Sequence, residues 1–447
     1  MPLHKDHLNK GFRLPQCEKH FHDHDETWLI LKGKGSGYWI DHDGQRQEFV
    51  LEAGDVWMVP AGYEHGSVGP NSEDFTIAVF NGTEPPGAHK PGHYYVEKEG
   101  YIPSFELKKA PTERYRKRTA LPARMKGILF VEQGKTALQE EDTPTVQRGK
   151  LLCQTLFSGL TNGTERNVLC GGNYGGRKWP NRCGYQNVGR VLEAGPGVAG
   201  FSPGDLIFSG DFGQHRQYFA APAGAESLIV KVPPEVEAKH AALFGMASVA
   251  MHDVRRTEVK LGERVLVVGA GPIGQFTAQA ARIAGAHVTV CDLNERRLKI
   301  AAELGAQKTI AVSREDTAWE AVKKAGPFDV VFEDSGGPVL DWVIGGDGGK
   351  GILRHRARVV MIAGRDRVEY GFNPAQGYEL CVYHAGHFAA DDLHQVCRLA
   401  AEGALAIGPI IQDVVPIERA PDIYDRLRDD PGSLFGTVLD WQEFTGR

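Results

Sequence analysis

Two groups of residues in this 447-residue chain have the types and spacing to do chemistry. The first is His20, His22 and Glu26, followed by His65. His20 and His22 are two apart, so on a strand both meet one face, and Glu26 shares their parity, so that a strand or shallow bulge brings it alongside. Three imidazoles and a carboxylate make a mixed nitrogen–oxygen set for one divalent transition metal (Mn, Fe, Zn, Co or Ni), with positions left open for water or substrate. The bland alternative is a histidine-rich surface, because His4, His7, His24 and His42 lie in the same stretch. The second group is RVLVVGAGPIGQ, a G-x-G-x-x-G at Gly269, Gly271 and Gly274. Gly269 permits the tight turn, Gly271 lets backbone approach a pyrophosphate, and Gly274 lets helix pack on strand; Pro272 and Ile273 open the helix whose N-terminus receives the phosphates. Asp292 closes the next strand, HVTVCD, where a carboxylate binds the ribose 2′-hydroxyl and favours NAD over NADP. Arg296 and Arg297 either soften that preference or lie exposed on the following helix.

The elements that must hold these groups differ in kind. From residue 12 to about 82, apolar and aromatic runs such as ETWLILKGKGSGYWI and EFVLEAGDVWMVPAG are broken by Gly and Pro, as in a small all-β barrel. A Pro/Gly-rich stretch and the basic segment APTERYRKRTALPARM follow, read as a linker with a solvated surface. Residues 124 to 260 are strand-like and glycine-rich. From residue 262 to 380 strands alternate with helices, which predicts a parallel sheet with crossover helices. The boundaries so read are 1–105 for the metal-binding barrel, 106–123 for the linker, 124–250 with 408–447 for a β-rich catalytic domain, and 251–407 for the dinucleotide-binding domain.

Composition narrows the class. With 41% hydrophobic and 24% charged residues the chain is an ordinary globular one, and a net charge of −6 argues against nucleic-acid binding through a basic surface. There is no apolar run of membrane-spanning length and no apolar signal core at the N-terminus. Seven scattered cysteines without a C-x-x-C pair point to reduced thiols and a cytoplasmic location.

The N-terminal motifs resemble those of the cupin superfamily: H-x-H-x3-E-x6-G ending at Gly33, and G-x5-P-x-G-x2-H ending at His65. The resemblance carries the family's metal ligands onto His20, His22, Glu26 and His65. From about Arg124 onward the chain is similar to medium-chain dehydrogenase/reductases, through GRVLEAGPGVAGFSPGD, GERVLVVGAGPIGQ, FDVVFEDSGG, RVVMIAG and VCRLAAEGALAIGPIIQDVVPIERAPDIYDRL, in the family's order. The resemblance implies a multidomain chain: an all-β cupin barrel, then a β-rich GroES-like catalytic domain interrupted by an α/β Rossmann domain, with active-site groups in the cleft between those two. Zinc members of that family carry Cys before Gly-Thr-Asp, and later Gly-His-Glu. Here Thr161 and Asn162 stand at the first position, and Tyr185 and Gln186 replace the His and Glu, so no zinc is expected in the dehydrogenase part. The GTER and GYQNVGRV text is closer to the zinc-lacking branch that includes bacteriochlorophyllide dehydrogenase.

Without zinc, hydride transfer needs a proton acceptor and a group to stabilise the developing alkoxide. Tyr185 can donate a hydrogen bond or fill the volume of the old metal site. Thr164 matches the family's hydroxyl relay. Glu165 can orient that relay or pair with Arg166 or Arg190. His252 can act as base or be a satisfied histidine. The expected activity is NAD-dependent oxidation of a secondary alcohol on a sugar, sugar acid or cyclitol. The cupin then isomerises, epimerises or otherwise converts the same small polyhydroxylated substrate. The alternatives are a non-catalytic cupin that regulates or assembles the dehydrogenase, and a zinc-free enoyl or quinone reductase. The resemblance also implies a homodimer or homotetramer, with no nucleic-acid or membrane partner.

Overall fold

The computed structural model describes residues 20–22, 25–41, 45–60, 63–66, 72, 74–81, 93–95, 121–313, 319–345, 351–384, 386–442 and 444. The linker expected at 106–123 falls almost wholly outside them. The chain divides into two compact units, Met1–Leu121 and Pro122–Arg447.

The first unit is all β: β1 (His20–His22), β2 (Glu26–Lys32), β3 (Lys34–Ile40), β4 (Arg46–Glu52), β5 (Val56–Val59), β6 (Glu64–Gly66), β7 (Thr76–Asn81) and β8 (His93–Tyr95). They form a five-stranded sheet ordered β4-β3-β6-β1-β8 and a three-stranded sheet ordered β5-β2-β7. Ile30, Leu51, Trp57 and Val59 make the core, with Trp28, Trp39 and Phe49 packed against it. The motif glycines Gly33 and Gly54 turn the chain between strands at φ 78° and 100°, which L side chains rarely adopt. One expectation is corrected here. Glu26 does not continue the strand of His20 and His22: it opens β2, so the chain crosses from one sheet to the other within four residues.

The second unit starts with a hairpin, β9 (Arg124–Glu132) and β10 (Lys135–Asp142). Then come β11 (Lys150–Gly159), α1 (Asn162–Cys170), β12 (Asn187–Ala194), β13 (Leu206–Ser209), β14 (Tyr218–Pro222), β15 (Ile229–Lys231), α2 (Ala238–Ala241) and α3 (Phe244–Arg256). The alternating part follows: β16 (Arg264–Val268), α4 (Pro272–Ile283), β17 (His287–Asp292), α5 (Glu295–Glu303), β18 (Lys308–Ala311), α6 (Glu320–Ala325), β19 (Phe328–Glu333), α7 (Leu340–Val343), β20 (Leu353–Met361), α8 (Phe372–Tyr378), β21 (Cys381–His384) and α9 (Ala390–Ala401). Last are β22 (Ile411–Pro416), α10 (Ala420–Asp429) and β23 (Gly436–Asp440).

Strands β16 to β21 form one parallel sheet ordered β18-β17-β16-β19-β20-β21. Its centre is the run VLVV, buried throughout, as a strand covered by helices on both faces requires. The order reverses at β16, between β17 and β19, and ligands bind beyond the carboxyl ends at such a switch point. Strands β22 and β23 return to the sheet of β11 to β15, with β23 pairing β11. The hydrophobic core is continuous between the two sheets: Phe208 and Phe244 lie in the same cluster as Val267 and Phe276. The six described cysteines are free thiols. Among the described residues no helix is long and apolar enough to cross a membrane.

Candidate active site and metal centre

The glycine loop follows β16. Gly269 has φ 104°, and a Cβ there would sit 2.9 Å from the Ser335 backbone nitrogen. A Cβ at Gly274 would run into the Gly269 carbonyl oxygen, whereas one at Gly271 would meet open space. The middle glycine is therefore the one that clears room for a ligand. Gly271 is the N-cap of α4, and Pro272 sits in its first turn, where a missing N–H costs nothing. Beside the loop is a cavity of about 1120 Å³ whose lining includes Gly269, Gly271, Asp292, Arg296, Asp334 and Trp342. Asp292 Oδ2 accepts from the Ala270 N–H at 2.6 Å and Oδ1 from the Asn294 N–H at 2.7 Å, so the carboxylate is held at the cavity wall. Arg297 also lines the cavity, but its guanidinium donates to the Gly432 and Leu434 carbonyls at 3.0 and 3.1 Å. It braces α5 against the segment before β23. Ile273 is half-buried at the start of α4.

The residues at the family's metal positions come together, but as a hydrogen-bonded cluster. Gln186 Nε2 donates to the Thr161 hydroxyl at 3.1 Å and to the Gly159 carbonyl, while its Oε1 accepts from the Met246 N–H at 2.9 Å. Tyr185 is buried with its hydroxyl hydrogen-bonded to Thr161, and burial pushes the phenol well above its ordinary range. Asn162 donates to the Phe435 carbonyl at 3.0 Å. Cys183 is a half-buried thiol packed with Cys170 at an apolar cluster, and its pKa is pushed up by burial and by the nearby Glu165.

Glu165 lies in α1 with no exposed surface. Its Oε1 accepts from the Thr161 N–H at 2.7 Å; its Oε2 accepts from the Tyr424 hydroxyl at 2.6 Å and lies 3.1 Å from His215 Nε2. His215 Nδ1 meets the Ser158 hydroxyl at 2.8 Å, to which Trp441 Nε1 also donates. The expected pairing with Arg166 or Arg190 is not made: Arg166 donates to the Leu427 carbonyl and Arg190 to the Gly204 carbonyl. Thr164 is half-buried on α1. His252, on α3, is held by Asp392, whose Oδ2 lies 2.7 Å from Nδ1 and whose other oxygen binds Arg255.

Two features had no sequence signal. His387, in the loop after β21, packs edge-on against Tyr185 with centroids 4.8 Å apart and stacks on Phe212 at 5.5 Å. Asp253 on α3 and Asp334 after β19 are two acids that act on one another electrostatically, and the Asp334 carboxyl lies beside Gly274 of the glycine loop. Burial, with the Asp392 charge, pushes Asp253 up to about 8. Asp334 is raised well above the carboxylate range by burial and by Asp253. Neither Asp334 oxygen has a partner, and the neighbouring Thr277 hydroxyl donates to the Ile273 carbonyl instead.

In the first unit, His65 is fully buried and Glu26 nearly so. His65 Nδ1 faces the Tyr63 carbonyl at 3.0 Å, and Nε2 is the other ring nitrogen of the buried imidazole. The Glu26 Oε2 lies 3.0 Å from that Nε2. A ring nitrogen and a carboxylate oxygen brought together in this way are donors of the kind a divalent transition metal takes. His20 pairs with His65 through the backbone register, and the side chains of His20 and His22 lie outside the described residues. The same register sets His93 opposite His22, a histidine no motif marked.

Comparison with known proteins agrees with both units. Residues 13–80 match the Cupin domain family and residues 272–400 the Zinc-binding dehydrogenase family, the latter match running from α4 through β17 to β21 and α9 but not including β16. A 2-dehydro-3-deoxy-L-galactonate 5-dehydrogenase from Pseudoalteromonas atlantica is 28% identical over 58% of this chain and 82% of its own length. An L-threonine 3-dehydrogenase from Anaeromyxobacter is 27% identical over 62% and 90%. Among solved structures, a thermostable alcohol dehydrogenase from Pyrobaculum aerophilum superposes with TM-score 0.61 at 23% identity, over 71% of this chain and 99% of its own. A Sinorhizobium meliloti dehydrogenase bound to NADP gives 0.61 at 22%, over 71% of this chain and 100% of its own. The first unit is similar to cupin domains, and the second is similar to dehydrogenases of the kind that carry the Zinc-binding dehydrogenase domain.

Proposed function

We propose that the second unit oxidises a secondary alcohol on a sugar, sugar acid or cyclitol with NAD and without zinc. We propose further that the cupin holds one divalent metal through His20, His22, Glu26 and His65 and converts the same substrate. The observation that carries the zinc-free reading is the Thr161–Gln186–Tyr185 cluster: hydrogen bonds fill the place where the resemblance puts metal ligands. Support for NAD is the Asp292 carboxylate fixed at the cavity wall, where a 2′-phosphate would meet a like charge. Support for the substrate class is the sugar-acid dehydrogenase among the relatives.

When bound, the dinucleotide accepts the hydride; the protein orients the substrate and manages its proton. Tyr185, kept protonated by its burial, is suited to donate to the substrate oxygen rather than to take a proton from it. A metal in the cupin would polarise a substrate oxygen at an open coordination position.

The test is NADH formation from NAD with a panel of polyols, sugar acids and cyclitols, with and without chelator. Oxidation that survives chelation is the expected result. Loss on chelation with recovery on added zinc would overturn the zinc-free reading. The metal content of the purified protein, against that of His65→Ala, tests the cupin separately; equal content would remove His65 from the ligand set.

A further inference from the structure

His387 places an unpartnered ring nitrogen in the aromatic cluster around Tyr185. Its Nε2 is buried and has no hydrogen-bond partner. The Gly210 carbonyl, which only accepts, lies near the ring, and with the ring proton on Nδ1 the unpartnered Nε2 presents a lone pair. Phe212, Phe388 and Tyr185 enclose the ring, with Phe388 at 4.3 Å and Phe212 67% exposed at the outer wall. The backbone holds this position at φ 50°, in the left-handed region that few residues other than glycine adopt. Strain of this kind persists where surrounding structure fixes a functional side chain.

The placement relative to a bound dinucleotide follows from topology. The His387 loop leaves the carboxyl end of β21, the same end of the parallel sheet as the glycine loop after β16. Helix α3 links the two places. Gly245, near its start, packs on Tyr185, since a Cβ there would lie 2.7 Å from the Tyr185 ring. Asp253, near its end, faces Asp334, which lines the dinucleotide cavity. At 1.5 Å per residue those ends are about 12 Å apart, a distance that an extended dinucleotide spans.

We infer that His387 Nε2 is the proton acceptor of the oxidation, a role that rests on the dehydrogenase reading above. The substrate C–H bond breaks and its electron pair passes to an oxidised nicotinamide dinucleotide. The C–O bond becomes a carbonyl, and the hydroxyl proton moves to Nε2 and from there to water. Burial lowers the affinity of this imidazole for a proton, so it stays neutral and able to accept near pH 7. The groups that face it are consistent with that role. The Tyr185 phenol stays protonated, and the nearby His252 adds positive charge only when it is itself protonated. Asp211, between Gly210 and Phe212, is also pushed toward its neutral form by burial.

The variant to make is His387→Asn. Asparagine tolerates left-handed φ and can donate to the Gly210 carbonyl, but it has no basic nitrogen. On whichever panel alcohol the wild type oxidises, kcat should fall roughly 10²- to 10⁴-fold with KM within a few-fold, and the acid limb of the kcat profile should vanish. A kcat within three-fold of wild type would overturn the base assignment and leave the dehydrogenase reading standing. A wild type that oxidises nothing on the panel would sink that reading and the assignment with it. The second measurement needs no substrate: ¹⁵N-histidine spectra of the full chain with NAD should show His387 as the Nδ1–H tautomer, and an Nε2–H tautomer would overturn the inference.

Discussion

Glu165 and Asp334 are both buried acids of the second unit, and they solve burial in opposite ways. Glu165 has donors on both oxygens: the Thr161 N–H, the Tyr424 hydroxyl and the His215 ring. Asp334 has none on either, and Asp253 beside it leaves Oδ2 unpaired. A buried carboxyl without donors keeps its proton. The first arrangement fastens α1, α10 and the sheet of β11 together. The second leaves a neutral acid at the wall of the cavity beside the glycine loop, where the proposed pyrophosphate would be repelled by a carboxylate. The position matching the family's acidic residue after Gly-Thr is therefore a fastening, and the loop that lines the cavity is where polar groups stand unpaired.

The strongest way to break the comparison is Glu165→Ala. It removes an acceptor from Thr161, Tyr424 and His215 together, and breaking a buried pair of this kind costs about 3–5 kcal/mol. Urea unfolding should show that loss; a loss under 1 kcal/mol would mean the network is not a fastening. Next is Asp253→Asn. An acid raised from 3.8 to about 8 in the folded state binds more protons folded than unfolded between those values, so stability is greatest at the acid end of that window and falls as pH rises through it. The slope approaches about 1.4 kcal/mol per pH unit for one proton. Asn should lessen the fall of the urea midpoint between pH 5 and 8 by the share of one proton, leaving that of Asp334; an unchanged slope would place the titration elsewhere.

What the sequence made legible follows the range of the interactions. The glycine loop, Asp292, and Gly33 and Gly54 are local devices: a turn, a close approach and a positive φ each demand a residue type within a few positions. The alternation of VLVV with helical text likewise announced the parallel sheet. Glu165 was legible as a residue of interest, but its partners His215 and Tyr424 are 50 and 259 residues away, and a neighbouring arginine looked as good. Arg297 read as a cofactor residue because it follows Asp292, yet its carbonyl partners come from the chain's return to the first sheet. His387 had no motif at all. Its meaning comes from a ring nitrogen left unpaired among aromatic residues from three loops.

Tyr185→Phe is the mildest perturbation, and it sharpens the contrast most finely. The ring packs against Phe212, His387 and Phe388, and phenylalanine keeps that volume. Only the hydroxyl is lost, and with it the bond to Thr161, whose oxygen still accepts from Gln186. Losing one such hydrogen bond costs about 1 kcal/mol, so the urea midpoint should barely move. If the Tyr185 hydroxyl also polarises the substrate oxygen, kcat should fall roughly 10²-fold or more, as for loss of one preorganised donor. Because a phenol held protonated does not take up a further proton, the pH profile of the variant should keep the acid limb assigned to His387. Loss of that limb in Tyr185→Phe would move the base from the histidine to the tyrosine, while unchanged turnover would leave the tyrosine as filling for the vacated metal position.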